Sequence, residues 1–175
     1  IKNVGDIEIA ARINAFVFDK TGTLTTGELA VSRLAPQGDI KPAELLKIAA
    51  TAEKFSNHPT AKALVNLAEE AGVKLAAPAD FKETAGRGIQ ASVDGADIVI
   101  GRAQWLRDNG VTDDFESKVD LKEAEGYSLL FVARGGVCIG WVGLQDATRS
   151  EAKEALADLL ASGVRRVAMV SGDRQ

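Results

Sequence analysis

The chain has 175 residues, a net charge of −4 and 46% hydrophobic residues, the proportions of an ordinary soluble globular protein with room for one or two domains. Its mild acidity gives no basic footprint for nucleic acid. A single cysteine, Cys138, excludes an internal disulfide and a cysteine-rich metal site, and no apolar run approaches the roughly 18 residues of a membrane-spanning helix.

In chain order, a Gly5–Glu8 turn and a short helical pattern from Ile7 to Ile13 precede an apolar run, Ala15 to Phe18, that reads as a buried strand. The run ends at Asp19 and is followed by Lys20-Thr21-Gly22-Thr23-Leu24-Thr25. A carboxylate at the carboxyl end of a strand lies where open α/β sheets bind ligands. Gly22 lets the backbone turn tightly, and the hydroxyl and N–H groups beside it can contact an anion. Such an Asp can serve as a nucleophile that accepts a phosphoryl group.

Beyond Gly27 the texture changes. Leu29–Leu34 alternates as a strand closed by Pro36-Gln37-Gly38. Pro42 suits the first turn of a helix through Ala50, and a second helix covers Thr60–Ala71 with Gly72 as its stop. Residues 88–94 and 96–101 form a hairpin around Asp94-Gly95. Residues 113–125 carry a helical pattern, and a second hairpin pairs Ser128–Arg134 with Val137–Leu144 around Gly135-Gly136. Parallel-sheet character returns at residue 146. Thr148 and Glu151 have capping-box spacing for a helix to about Ser162, ended by Gly163. Val164–Val170 then reads as a second buried strand leading into Ser171-Gly172-Asp173. The expected fold is α/β, with one domain split by an antiparallel sheet and its helices.

Asp19-Lys20-Thr21-Gly22-Thr23-Leu24-Thr25 resembles the phosphorylation motif of P-type ATPases, members of the haloacid dehalogenase-like superfamily. Glu53-Lys54-Phe55-Ser56-Asn57-His58-Pro59 resembles the Ser-x-His-Pro motif of the heavy-metal-transporting (type IB) branch. Gly86-Arg87-Gly88 is similar to that branch's Gly-x-Gly, and Gly101-Arg102 stands where the branch has Gly-Asn. Asp146-Ala147-Thr148-Arg149 resembles the hinge motif Asp-x-x-Arg, without its usual proline. On the residues alone, His58-Pro59 also suits a helix cap, Gly86-Arg87-Gly88 a strand-entry turn, and Gly110 the end of a helix.

The resemblance implies a partial haloacid dehalogenase-like (Rossmann-like) phosphorylation domain in residues 1–27 and 145–175, with an inserted α+β nucleotide-binding domain in residues 28–144. It implies Asp19 as the phosphoryl acceptor, with Lys20, Thr21, Ser171, Gly172 and Asp173 around it, and Mg²⁺ held by Asp19 and the Thr21 carbonyl. It implies ATP or ADP bound by Glu53, His58, Gly86, Gly88 and Gly101. Many superfamily phosphatases carry a second Asp two residues after the nucleophile as acid and base. Thr21 stands there, which favours a long-lived aspartyl-phosphate over a phosphatase. The alternatives weighed are a soluble phosphatase with the insert as its cap, and a non-catalytic nucleotide-binding module. The parent expected is a heavy-metal cation pump with transmembrane and actuator domains. The chain itself is expected to be a soluble, monomeric cytoplasmic loop that binds nucleotide but phosphorylates itself poorly, because a later Lys and a Gly-Asp-Gly-x-Asn-Asp motif are absent.

Overall fold

A computed structural model describes residues 13–170. Its elements are β1 (Ala15–Asp19), β2 (Thr25–Pro36), α1 (Pro42–Glu53), α2 (Pro59–Glu70), β3 (Ala79–Thr84), β4 (Gly88–Val93), β5 (Ala96–Gly101), α3 (Ala103–Asp108), α4 (Leu121–Ala124), β6 (Ser128–Arg134), β7 (Val137–Thr148), α5 (Ala152–Ala161) and β8 (Arg166–Val170). They fall into two units, divided between Glu28 and Leu29 and between Gln145 and Asp146. Both divisions lie inside strands, β2 and β7.

The larger unit is built on one six-stranded sheet in the order β2-β7-β6-β5-β4-β3, antiparallel from β3 through β7. Successive strand residues point to opposite faces, so each strand supplies two cores. One core joins Ile98, Ile100, Val132 and Val142 of the sheet to Leu45 and Ala49 of α1 and Leu64 of α2. Each of these larger side chains, removed from water, contributes on the order of 1.5–3 kcal/mol before the entropy cost of ordering it. The other core gathers Phe131, Ala133, Cys138 and Trp141 around Leu106 of α3, Val111 and Phe115. A bulge at Ile139 shifts the register between Val132↔Gly140 and Ala133↔Cys138. The shift sets Trp141 opposite Phe131 on the second face, where strict alternation from Cys138 would aim it at the first. Cys138 is a buried small residue, and burial pushes its thiol up to about 11, which makes it inert.

The smaller unit pairs β1 with β8 in parallel, Asp19 opposite Val170. Both strands were expected to be buried. Instead Val17, Met169 and Val170 are exposed, because among the described residues this unit supplies one two-stranded sheet and one ten-residue helix. No described helix is long and apolar enough to cross a membrane.

Other differences have local causes. The helix expected over residues 113–125 shrinks to α4. Val111, Phe115 and Val119 stand four apart as on a helix, but Ser117 Oγ donates to the Asp114 carbonyl and Asp120 Oδ1 accepts from Lys122 N–H. These short polar side chains satisfy the backbone in turns. The capping box does not form: Thr148 is still extended in β7, and Glu151 begins α5 with its carboxylate on the Ser150 hydroxyl. Strand β3 was not anticipated: it is a polar edge strand with no alternation to reveal it, whereas α3 is closed by Gly110, the residue that suited a helix end. Most of the Ile7–Ile13 helical pattern lies outside the described residues.

Candidate functional site

In the smaller unit, Asp19 ends β1 and Lys20–Leu24 closes at once into a tight turn with Gly22 at φ +77°. The turn is tied from within by Thr25, which is only 6% exposed. Its Oγ1 accepts from Gly22 N–H at 3.1 Å and donates to the Lys20 carbonyl at 3.1 Å. Arg149 ties the turn from outside: Nε donates to the Thr23 carbonyl at 3.0 Å, Nη2 to the Gly22 carbonyl at 3.2 Å, and its backbone N–H to the Leu24 carbonyl at 3.0 Å. The residue named from the hinge motif is thus a strut for the turn after Asp19. Arg149→Ala is expected to cost about 1–2 kcal/mol, the worth of two partly solvated charge-assisted bonds. It should also speed hydrogen exchange at the Gly22 amide; unchanged exchange there would exclude the strut. Ser171, Gly172 and Asp173 lie outside the described residues.

Thr25 and Arg149 engage the carbonyls of Lys20, Gly22, Thr23 and Leu24, and leave that of Thr21 to other uses. Among the described residues no three His, Cys, Asp or Glu side chains cluster as a complete metal site. Asp19 and Thr21 fit a divalent cation that draws its remaining oxygens from phosphate and water.

In the larger unit one cavity of about 250 Å³ gathers Glu53, His58, Gly86 and Gly88. Its size is close to the lower end of the roughly 300–1,000 Å³ of small-molecule sites. Leu29, Ile89, Leu130 and Leu144 give it apolar wall. Glu53 is the last residue of α1 and only 3% exposed. Burial, then the neighbouring Glu83 carboxylate, push its carboxyl up to about 7, against the lowering effect of the Ser56 hydroxyl. His58 caps α2 ahead of Pro59 at the first helical position. Its Nδ1 accepts from Thr60 N–H at 3.3 Å and lies 2.8 Å from Thr60 Oγ1. An accepting Nδ1 puts the ring proton on Nε2, so the imidazole offers a donor and a π face while it caps.

The glycines divide by role. Gly88 and Gly101 are a cross-strand pair of β4 and β5. A Cβ on Gly88 would collide with the Ile100 carbonyl oxygen, and one on Gly101 would sit 2.5 Å from the Trp105 ring. Both are small because the protein itself fills the space. Gly101 does not line the cavity; its neighbour Arg102 does. Gly86, at φ +72°, has open space where a side chain would stand. Gly110 closes α3: its N–H bonds the Arg107 carbonyl and Val111 N–H bonds the Leu106 carbonyl, the paired pattern of a glycine helix stop. The sequence reading missed Glu83, and it passed over Arg87, although Arg87 stands between the two glycines it named.

Residues 13–175 match the haloacid dehalogenase-like hydrolase family. A probable copper-exporting P-type ATPase of Archaeoglobus fulgidus is 38% identical over 99% of this chain, and the chain spans 21% of that relative's length. The crystal structure of a zinc-transporting PIB-type ATPase superposes with a TM-score of 0.79 at 32% identity, over 94% of this chain and 26% of that one. The catalytic domain of the CPx-ATPase CopB-B, solved in a study of its conformational changes upon nucleotide binding, gives a TM-score of 0.62 at 29% identity, over 100% of this chain and 60% of that one. The chain belongs to the haloacid dehalogenase-like hydrolase family, and its relatives there are heavy-metal P-type ATPases.

Proposed function

We propose that residues 28–144 are the nucleotide-binding domain, and residues 1–27 with 145–175 the phosphorylation domain, of an ATP-driven heavy-metal cation pump, in a loop on the cytoplasmic side of the membrane. The observation that carries the reading is the cavity that brings Glu53, His58, Gly86 and Gly88 together from two helices and a strand turn. The apolar wall takes the faces of adenine, the His58 ring lies on or bonds to the base, and the Glu53 carboxylate accepts from the 6-amino group. Asp19 then attacks the γ-phosphorus in line; the Asp–phosphoryl bond forms as the bond to the departing ADP oxygen breaks. Mg²⁺ held by Asp19 and Thr21 would neutralise phosphate charge. Thr21, in place of a second Asp, leaves the aspartyl-phosphate without a local base to hydrolyse it. The resulting phosphoenzyme outlives the chemical step, as a pump requires.

The cap and the ligand role of His58 are separable. Asn is a good helix N-cap, so His58→Asn keeps the bond to Thr60 N–H and loses the ring. Its unfolding free energy is expected to stay within about 0.5 kcal/mol of the parent's, since Asn ranks with the best caps. Its ATP affinity, by calorimetric titration, is expected to fall about tenfold, the loss of one base-stacking or polar contact. Undiminished affinity would reduce His58 to a cap and remove it from the site.

A further inference from the structure

The cavity wall carries charged groups of both signs. Glu53 and Glu83 are its carboxylates, and Arg87 and Arg102 are its cations. Neither arginine is paired with either of these glutamates. The two arginines differ. Arg87 Nη1 is paired with Asp108 Oδ2 at 3.2 Å. Of the five arginines in residues 29–145, Arg33, Arg87, Arg107 and Arg134 each hold a carboxylate. Arg102 alone has no ion pair among the described residues, although it lines a cavity that contains two glutamates. It follows Gly101 directly, where β5 ends, and its backbone is extended (φ −70°, ψ 162°). The pairing of Gly101 with Gly88, sealed by the Trp105 ring, fixes that backbone point.

An unpaired guanidinium on the wall of a cavity is a fork without an anion. Guanidinium matches phosphate oxygens bidentately and keeps its charge at any working pH. Asn at this position, the residue in the family pattern, offers two neutral N–H donors and no charge. We infer that Arg102 is a specificity-determining residue that binds the phosphate chain of the nucleotide, so that this chain selects nucleotides by phosphate charge more strongly than an Asn at that position would allow. The inference rests on the nucleotide reading of the cavity.

The test is calorimetric titration of the whole chain with adenosine, ADP and ATP, without Mg²⁺, for the parent, Arg102→Asn and Arg102→Lys. Arg102 is exposed, so these variants are expected to fold as the parent does. In Arg102→Asn, ATP affinity is expected to fall about tenfold or more, the loss of a charge-assisted contact, while adenosine affinity holds within about twofold. Arg102→Lys, which keeps the charge and loses the fork, is expected to fall between. Raising salt should weaken ATP less in Arg102→Asn than in the parent. Unchanged ATP affinity in Arg102→Asn overturns the inference with the cavity reading intact. Equal loss of adenosine and ATP overturns it too, because Arg102 would then hold the base. A parent that binds none of the three ligands overturns the cavity reading itself, and this inference with it.

Discussion

Glu53→Gln is expected to make the chain more stable and a weaker nucleotide binder, with both effects dependent on pH. The carboxyl ordinarily titrates near 4.5 and is pushed up to about 7 by burial and by Glu83. The folded state therefore holds the proton more tightly than the unfolded state. Its contribution to stability is fully present below about pH 4.5 and is lost as pH rises through 7. Above that, a charge stands almost without solvent beside another carboxylate. Gln carries no such charge. Glu53→Gln should match the parent near pH 5 and exceed it near pH 8 by at most about 3 kcal/mol, since each tenfold change in proton affinity between the two states is worth about 1.4 kcal/mol. Urea denaturation at the two pH values reads the difference directly. A gain equal at both, or greater at pH 5, would refute the buried charge.

The binding arm runs the other way. The 6-amino group of adenine donates, so it favours the ionised carboxylate and binding releases a proton. ATP affinity of the parent should rise between pH 6 and pH 8. Glu53→Gln should lose that rise and bind about tenfold more weakly at pH 8, since a neutral acceptor makes the weaker bond. A group that destabilises the empty fold and holds the ligand is the pattern of a functional site.

Much of this was legible in the sequence, and the part that was not has a physical cause. Asp19 with its turn is contiguous, so one strand pattern and one glycine sufficed to find it. His58-Pro59 is likewise local, and a histidine cap followed by proline at the first helical position could be read directly. Glu83 owes its place on the cavity wall to the packing of β3 beside β4, an edge strand with no period to announce it, and Arg102, visible in the sequence only as a departure from Gly-Asn, reaches that wall because β5 ends at Gly101. The second struts of the Asp19 turn come from Arg149, more than a hundred residues away in sequence, where no local rule reaches. The failed helix over residues 113–125 shows the converse error: helical spacing of Val111, Phe115 and Val119 was real, but turns bring the same residues to the core.

Gly88→Ala carries the largest expected loss of stability. Its Cβ would collide with the Ile100 carbonyl oxygen and stand 2.6 Å from Trp105 Cδ1. Neither neighbour can yield cheaply. The carbonyl belongs to the β4–β5 pair, in which Ile89 faces Ile100 and Gly88 faces Gly101. The indole is held by its Nε1–H, which donates to the Ile89 carbonyl at 3.4 Å, and by the second core behind it. Overpacking a yielding site costs about 1–3 kcal/mol; here a strand pair and a ring must both move, so about 3 kcal/mol or more is expected. Gly86→Ala is the control two residues away. Its new methyl meets open space, and only the left-handed backbone, at φ +72°, opposes it, for about 1–2 kcal/mol. Denaturant melts of the two variants without nucleotide separate the explanations. If glycine stands at 88 to let a nucleotide approach the backbone, the empty Gly88→Ala protein is nearly as stable as the parent and only binding suffers. If the glycine is there for the Trp105 ring and the Ile100 carbonyl, the empty protein is already destabilised, and more so than Gly86→Ala. The contacts require the second outcome.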